Sequence, residues 1–127
     1  MKYLLDTHTA LWFFGEINKL PKSTCDLIAD PANELYVSIA SAWELAIKIR
    51  TKRMDFVGGV EQFFHLLDDN DIELLPIKPE YLPIIETLPL LHRDPFDRLL
   101  ISSALMEDLT IITKDENIQK YDVPWIW

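Results

Sequence analysis

Four acidic residues lie where short apolar runs end or where predicted helices begin, and they are spread along the whole chain: Asp6, Glu44, Asp97 and Asp115. In open α/β sheets, ligands bind outside the carboxyl ends of the strands, so an α/β fold would bring these positions to one edge of its sheet. Carboxylates that converge there repel each other unless a positive charge lies between them. A hard divalent cation such as Mg²⁺ prefers oxygen ligands of this kind. The four carboxylates therefore predict metal-dependent phosphoryl chemistry.

Each of these acids also has a purely structural interpretation. Asp6 directly follows an apolar run, and Asp115 follows Thr-Ile-Ile-Thr-Lys at the end of the fourth predicted strand, so each could act only as the N-cap of the next helix. Glu44 lies three residues after Ser41, in the pattern of a capping box, and it could also pair with Lys48 one turn later. The metal-site hypothesis therefore depends on all the acids meeting at one edge, and not on any one of them.

The most distinctive acidic segment is Arg-Asp-Pro-Phe-Asp-Arg at residues 93–98. Asp94 is suited to an N-cap and Pro95 to the first position of a helix. Asp97 is the better ligand candidate. The helix that follows is apolar, so an unpaired carboxylate buried at its start would be costly, and a bound metal would remove that cost. Arg93 and Arg98 flank the two acids and could bind phosphate or neutralise the cluster.

One basic run could guide a nucleic acid toward such a site, and it consists of Lys48, Arg50, Lys52 and Arg53. The structural interpretation is a solvated helix end, where cations are favoured by the helix dipole. The functional interpretation is a series of phosphate contacts that leads to the metal.

Strands and helices alternate along the chain. Apolar runs predict strands at residues 3–5, 35–37, 72–77, 110–113 and 124–127. Periodicity and capping residues predict helices at 9–14, 22–29, from Ser38 or Ser41 to about 52, 60–67, 79–88, 95–109 and 117–120. This alternation predicts the α/β class, with a parallel sheet that has helices on both faces.

Bulk composition restricts the classes of function. A length of 127 residues, of which 49% are hydrophobic, predicts one domain covering 1–127 with a real core. The net charge of −9 argues against binding nucleic acid by bulk charge and suits a basic protein partner. Cys25 is the only cysteine, so no internal disulfide is possible, which fits a reducing compartment. The N-terminal stretch is too short and polar for a signal peptide or a membrane span. We therefore expect a cytoplasmic location and no membrane partner.

Four segments together resemble the PIN-domain family, and more narrowly the toxin nuclease of a VapBC-type toxin–antitoxin pair. They are Leu4–His8 (LLDTH), Ser38–Lys48 (SIASAWELAIK), the block HRDPFDRLLISSA that begins at His92, and Thr113–Asp115. The resemblance runs essentially from end to end, including the finish at residues 123–127. The HRDPFDRLL block is the most specific segment, and four motifs in the same order make chance agreement improbable.

The resemblance implies a three-layer α/β/α fold around a central parallel sheet of four to five strands. It implies an endoribonuclease that depends on Mg²⁺ or Mn²⁺ and acts on RNA. Carried over by position, the catalytic and metal-binding site falls on Asp6, Glu44, Asp97 and Asp115, with Asp94 and Thr113 as supporting residues. It also implies a homodimer that is silenced by a small VapB-type antitoxin.

Two other functions fit part of the pattern. One is a PIN-like nuclease that acts on DNA or on flap structures, although the short chain leaves no room for an added substrate-threading domain. The other is a receiver-like signalling domain, in which an acidic pocket near a threonine and a lysine would accept a phosphoryl group. That function gives no purpose to the acids at the helix start near Asp97. Cleavage assays on RNA and DNA, and phosphorylation of Asp6 by a small phosphodonor, distinguish the three.

Overall fold

A five-stranded parallel sheet forms the centre of the computed structural model, which describes all 127 residues. The strands are β1 (Lys2–Leu5), β2 (Glu34–Ser38), β3 (Ile72–Leu75), β4 (Thr110–Ile112) and β5 (Trp125–Ile126). Their order across the sheet is β3-β2-β1-β4-β5, and every neighbouring pair is parallel. β1 is therefore central. β2 and β3 are added on one side of β1, and β4 and β5 are added on the other, so the strand order reverses next to β1. In such sheets the crevice at the carboxyl end beside the reversal is the usual ligand site.

Helices cover both faces of this sheet. They are α1 (Thr7–Gly15), α2 (Lys22–Ala29), α3 (Ile39–Arg50), α4 (Gly59–Asp69), α5 (Leu82–Thr87), α6 (Pro95–Glu107) and α7 (Glu116–Gln119), with 3₁₀ turns at Ile17–Lys19 and Pro79–Tyr81. Alternate residues of a strand point to opposite faces. Tyr3 and Leu5 accordingly pack with α1 to α4, whereas Leu4 packs with α6 and α7. The predicted α/β class and three-layer architecture are confirmed.

Several element boundaries differ from the sequence predictions for local reasons. The first helix begins at Thr7 and not at residue 9, because Asp6 caps it. α3 begins at Ile39 and ends at Arg50, so Lys52 and Arg53 lie beyond the helix. The segment predicted as one helix at 79–88 is a 3₁₀ turn followed by α5. β3 stops at Leu75 because Pro76 has no N–H to donate to the ladder.

The register of the strands aligns their carboxyl ends. Leu5 lies opposite Val37 of β2 and Ile112 of β4, so the residues that follow these strands emerge side by side. The backbone N–H of Asp6 extends this alignment by donating to the carbonyl of Ile112 at 3.2 Å. No helix of the structure combines the length and apolar character that a membrane crossing requires.

Candidate active site

Asp6 lies at the centre of the carboxyl edge and is 6% exposed. Its Oδ1 accepts a hydrogen bond from the backbone N–H of Thr9 at 2.8 Å, which is the N-cap of α1. Its Oδ2 accepts a hydrogen bond from the hydroxyl of Thr113. Burial raises the pKa of Asp6, and the hydrogen bonds from Thr113 and Thr9 act against that effect. Asp6 therefore has both roles that its sequence position suggested, as a helix cap and as a carboxylate of the carboxyl edge.

Glu44 reaches the same place from α3, but not through the capping box. The N-cap of α3 is Ser38, whose hydroxyl accepts from the N–H of Ala40 at 3.0 Å, so Glu44 lies in the second turn of the helix. The predicted capping box at Ser41 is therefore wrong. Glu44 instead accepts a hydrogen bond from the hydroxyl of Thr7 at 2.8 Å and pairs with Lys48 at 3.0 Å. At 7% exposure, it is a buried carboxylate whose neighbouring cation is on its own helix.

Asp97 is held by a histidine from the segment that precedes α6. Its Oδ2 lies 3.0 Å from Nε2 of His92, and Nδ1 of His92 lies 2.9 Å from the hydroxyl of Tyr121. Tyr121 also accepts a hydrogen bond from Arg98 at 2.9 Å. Because a guanidinium can only donate, the tyrosine proton is free for Nδ1, which favours a proton on Nε2 directed at Asp97.

The electrostatic surroundings of Asp97 are unfavourable to its charge. Burial raises the pKa of Asp97 to about 7, with smaller contributions in the same direction from the carboxylates of Asp94 and Asp115. The hydrogen bond to His92 acts in the opposite direction. The two neighbouring carboxylates thus lie close enough for their negative charge to be felt at Asp97.

Asp94 and Asp115 are helix caps, as their sequence contexts predict. Oδ1 of Asp94 accepts from the N–H groups of Phe96 and Asp97 at 2.9 and 3.1 Å. Oδ1 of Asp115 accepts from the N–H of Asn117 at 2.8 Å. These bonds occupy one oxygen of each carboxylate and leave the other available to the site.

One small pocket brings the predicted acids together. It has a volume of about 80 Å³ and no apolar residue in its lining, which consists of Asp6, Thr7, His8, Glu44, Lys48, Asp94, Asp97 and Asp115. All four predicted ligands therefore meet at the carboxyl edge of the sheet, although residues 6 and 115 are separated by nearly the whole chain. Thr113 lies behind Asp6 and connects it to Asp115, since its hydroxyl also accepts from the N–H of Asp115 at 3.0 Å.

The pocket has the right kind of ligand for a hard divalent cation, but its side chains are engaged with their neighbours. No group of three or more His, Cys, Asp or Glu side chains is close enough together to hold a metal ion as it stands. Lys48 neutralises Glu44 and His92 binds Asp97 instead. Four carboxylates on one polar pocket match the oxygen ligands that Mg²⁺ and Mn²⁺ take. A metal that binds Oε2 of Glu44 or Oδ2 of Asp97 would compete with Lys48 or His92 for that oxygen.

Two partners of the acids escaped sequence reasoning. His92 begins the HRDPFDRLL block but is not among the predicted site residues, because it contacts Asp97 and Tyr121 only after the loop before α6 has folded against the segment after α7. Thr7 follows Asp6 in the sequence and was available as a signal, but its partner Glu44 is 37 residues away. In each case, the missing information was a tertiary contact.

The basic residues proposed for RNA divide into three groups. Lys48 lines the acidic pocket, with its side chain 25% exposed. Arg50, Lys52, Arg53 and Arg93 are at least partly exposed. Arg98 is 7% exposed, and its guanidinium donates to the carbonyls of Pro89, Ile85 and Leu88 as well as to the Tyr121 hydroxyl. The prediction that Arg98 binds RNA is therefore wrong, because its donors are consumed in fixing the loop before α6.

The largest cavity is a different feature from the acidic pocket. It has a volume of about 680 Å³ and lies between the end of α1, the loop at residues 54–58 and α4. Apolar side chains such as Leu11, Phe14 and Phe56 form much of its lining. His8 borders both spaces. We locate the chemistry in the small pocket, because its lining brings together all four predicted acids, Asp6, Glu44, Asp97 and Asp115.

Comparison with known proteins connects this geometry to a family. The family model described as "PIN domain" matches residues 3–124. The chain is 28% identical over 122 residues to the protein named Ribonuclease VapC22 of Mycobacterium tuberculosis (strain ATCC 25618 / H37Rv), covering 95% of this chain and 92% of that protein.

Solved structures agree on the fold. VapBC2 from Rickettsia felis, determined with a DNA fragment from its promoter, superposes with a TM-score of 0.71 at 20% identity over 100% of this chain and 99% of that one. VapBC-1 from nontypeable Haemophilus influenzae gives 0.66 at 20% identity, with coverages of 99% and 97%. FitAcB from Neisseria gonorrhoeae gives 0.59 at 16% identity, with coverages of 98% and 96%.

Proposed function

The chain belongs to the PIN-domain family, whose model spans residues 3–124, and from that premise we propose that it is a metal-dependent endoribonuclease acting as the toxin of a VapBC-type toxin–antitoxin pair. The observation that carries the proposal is the convergence of Asp6, Glu44, Asp97 and Asp115 on one small pocket without apolar lining. The relative named as a ribonuclease supports RNA as the substrate.

The proposed roles of the residues follow from their surroundings. Asp6, Glu44, Asp97 and Asp115 would hold Mg²⁺ or Mn²⁺, which when bound would act as a Lewis acid and lower the pKa of a water molecule. Asp94 fixes the start of α6 through its cap, and Thr113 fixes Asp6. No serine, cysteine or threonine nucleophile is needed, because water is the attacking group. Lys48, once released from Glu44, is placed to neutralise charge on the substrate phosphate.

A cleavage assay tests the proposal directly. We expect the purified chain to cut RNA in the presence of Mg²⁺ or Mn²⁺ and to stop when EDTA removes the metal. Parallel assays on DNA of the same sequence and on flap substrates separate the ribonuclease from the alternative PIN-like nuclease. Cleavage that continues in EDTA contradicts the metal-dependent mechanism, and cleavage confined to DNA contradicts the choice of substrate.

We propose that the basic residues at the end of α3, with Arg93, bind RNA phosphates on the way to the pocket. We expect the combined variant Arg50→Gln, Lys52→Gln and Arg53→Gln to raise KM by about tenfold with little change in kcat, because phosphate binding supplies free energy far from the reacting bond. The dependence of log affinity on log salt becomes shallower by about 0.7 for each phosphate of a single strand that the variant no longer neutralises. Steady-state kinetics of RNA cleavage checks KM and kcat, and binding measured over a range of salt concentrations checks the slope.

The matched control for this variant removes the same charge elsewhere. Lys19, Lys22 and Lys120 are exposed and do not line the acidic pocket, so changing all three to Gln keeps the net charge equal to that of the first variant. An equal rise in KM in both variants would indicate that net charge alone governs binding and would contradict a phosphate track after α3.

The proposed protein partner is a small VapB-type antitoxin. The structures that superpose on this chain include VapBC assemblies, which supports a partner of that kind. A net charge of −9 and an acidic pocket favour a partner segment with basic groups.

We further propose that the chain forms a homodimer, which sedimentation of the purified chain tests. We also propose that it acts in the cytoplasm, where the proposed RNA substrate is found.

A further inference from the structure

Two buried hydroxyl groups that the proposed chemistry does not use lie directly behind Glu44. Thr7 is 4% exposed and Ser41 is 1% exposed. The Thr7 hydroxyl oxygen lies 2.8 Å from Oε1 of Glu44 and 2.8 Å from the hydroxyl oxygen of Ser41. Both contacts are buried and join α1 to α3, which carries Ser41 and Glu44 on one face.

The proton positions in this group follow from the chemistry of each partner. An ionised carboxylate can only accept, so the single proton of the Thr7 hydroxyl is donated to Glu44. The Ser41 hydroxyl must then donate to the oxygen of Thr7. The result is a chain of two hydrogen bonds that runs from Ser41 through Thr7 to Glu44. Bonds in such a chain polarise each other, which strengthens the last bond to the carboxylate.

This chain determines how Glu44 faces the pocket. Oε1 is held by Thr7, and Oε2 lies 3.0 Å from the ammonium group of Lys48. Thr7 is also bonded through the backbone to Asp6, the acid at the centre of the site. One side chain therefore ties the carboxylate on α3 to the segment that carries Asp6. If Thr7 could not donate, Glu44 would keep only the Lys48 partner and would be free to rotate toward it.

We propose that Thr7, supported by Ser41, is a positioning residue that orients Glu44 and thereby sets the metal affinity of the acidic pocket. The inference rests on the proposed function, because it concerns the same metal site. It adds a residue of the pocket lining that acts through Glu44, to which its hydroxyl donates. A partner that orients a ligand is generally worth 10- to 100-fold in metal affinity, by an order-of-magnitude estimate.

The test is Mn²⁺ binding by calorimetry, together with the metal concentration that gives half-maximal RNA cleavage. Thr7→Val keeps the shape of the side chain but removes the donor. We expect the Mn²⁺ affinity to fall, and the metal concentration for half-maximal cleavage to rise, by about tenfold or more. Thr7→Ser keeps a hydroxyl that can donate to Glu44. We therefore expect it to bind Mn²⁺ within about threefold of the wild type. Ser41→Ala removes only the support and is expected to lie between them.

A matched control is Thr24→Val in α2, because Thr24 has the same 4% exposure and lies outside the acidic pocket. Unfolding curves for every variant show whether a loss of metal affinity reflects loss of the fold. Wild-type Mn²⁺ affinity in folded Thr7→Val overturns the inference while the proposed function stands. Equal weakening in Thr7→Ser and Thr7→Val also overturns it. Absence of Mn²⁺ binding by the wild type overturns both the inference and the metal-dependent function.

Discussion

Asp97→Asn is expected to abolish metal-dependent RNA cleavage while leaving the fold at least as stable as the wild type at neutral pH. Loss of a group that only supports a metal ligand typically costs 10- to 100-fold, so loss of the ligand itself should reduce cleavage by at least about a hundredfold. Stability should not fall, because burial and the neighbouring Asp94 and Asp115 already disfavour the charge of Asp97. An amide of nearly the same shape removes that unfavourable charge.

Asp6→Asn should give the same loss of cleavage by the same reasoning, with the cap of α1 preserved. Asparagine is as good an N-cap as aspartate, so the bond from the Thr9 N–H survives. Its amide nitrogen can donate to the Thr113 hydroxyl, where the carboxylate accepted before. A fold that stays intact while cleavage disappears would separate the chemical role of Asp6 from its structural role.

The measurement is a time course of RNA cleavage for both variants, with a thermal unfolding curve for each. Asp69→Asn is the matched control, since Asp69 is an exposed acid at the end of α4 and outside the pocket. Cleavage by the control should equal that of the wild type. Cleavage that persists in both Asp97→Asn and Asp6→Asn would contradict the assignment of the site.

Mg²⁺ is expected to stabilise the fold strongly at about pH 8 and much less at about pH 6, because the metal requires ionised carboxylates. At about 100 times the dissociation constant, a bound ligand adds about 2.7 kcal/mol to the free energy of unfolding. For a domain of this size, each kcal/mol of added unfolding free energy raises Tm by about 4 °C, so the expected rise in Tm is about 10 °C. This rise should be reached above the pKa of Asp97, which is about 7.

The metal-free protein should show the opposite dependence on pH. The folded pKa of Asp97 is about 7, above its ordinary value of 3.8. A raised acid pKa gives a contribution to stability that is fully present below the unfolded pKa and is lost as the pH rises through the folded value. Asp97 therefore makes the metal-free fold less stable at about pH 8 than at about pH 5. The raised pKa of Asp6 acts in the same direction.

Thermal unfolding across this pH range, with EDTA or with Mg²⁺, checks both statements in one experiment. Asp97→Asn is the informative comparison, since it removes the titrating group and should flatten the pH dependence of the metal-free protein. A Tm that is unchanged by Mg²⁺ at every pH would contradict the metal site. A rise in Tm on adding Mg²⁺ that is as large at about pH 6 as at about pH 8 would contradict the role of Asp97 in metal binding.

The local features of the site were accessible from the sequence because each is decided within a few residues. Asp94 followed by Pro95 predicted the start of α6, and both the cap and the proline lie where expected. Asp115 caps α7 as predicted. The apolar runs predicted a parallel sheet, and the aligned carboxyl ends of its strands follow from that topology. The convergence of four distant acids was therefore a consequence of fold class.

The pairing of side chains was decided only by the tertiary structure. Sequence spacing predicted that Glu44 would cap its own helix, but α3 starts three residues earlier, and Glu44 takes its partner from α1. Arg98 flanks the acids in sequence, yet its position on the helix turns it to the buried side, toward loop carbonyls. His92 meets Asp97 through a loop whose path no local pattern specified.

The amino-acid sequence by itself determined the fold class, the helix caps at Asp6, Asp94 and Asp115, and the set of acids at the sheet edge, because periodicity, capping and the parallel connection are short-range rules. Only the tertiary structure decided which groups surround each acid, and with them the raised pKa of Asp97, the support of Glu44 by Thr7 and the burial of Arg98. These depend on desolvation and on contacts between residues far apart in the chain, which exist only after the layers have packed together.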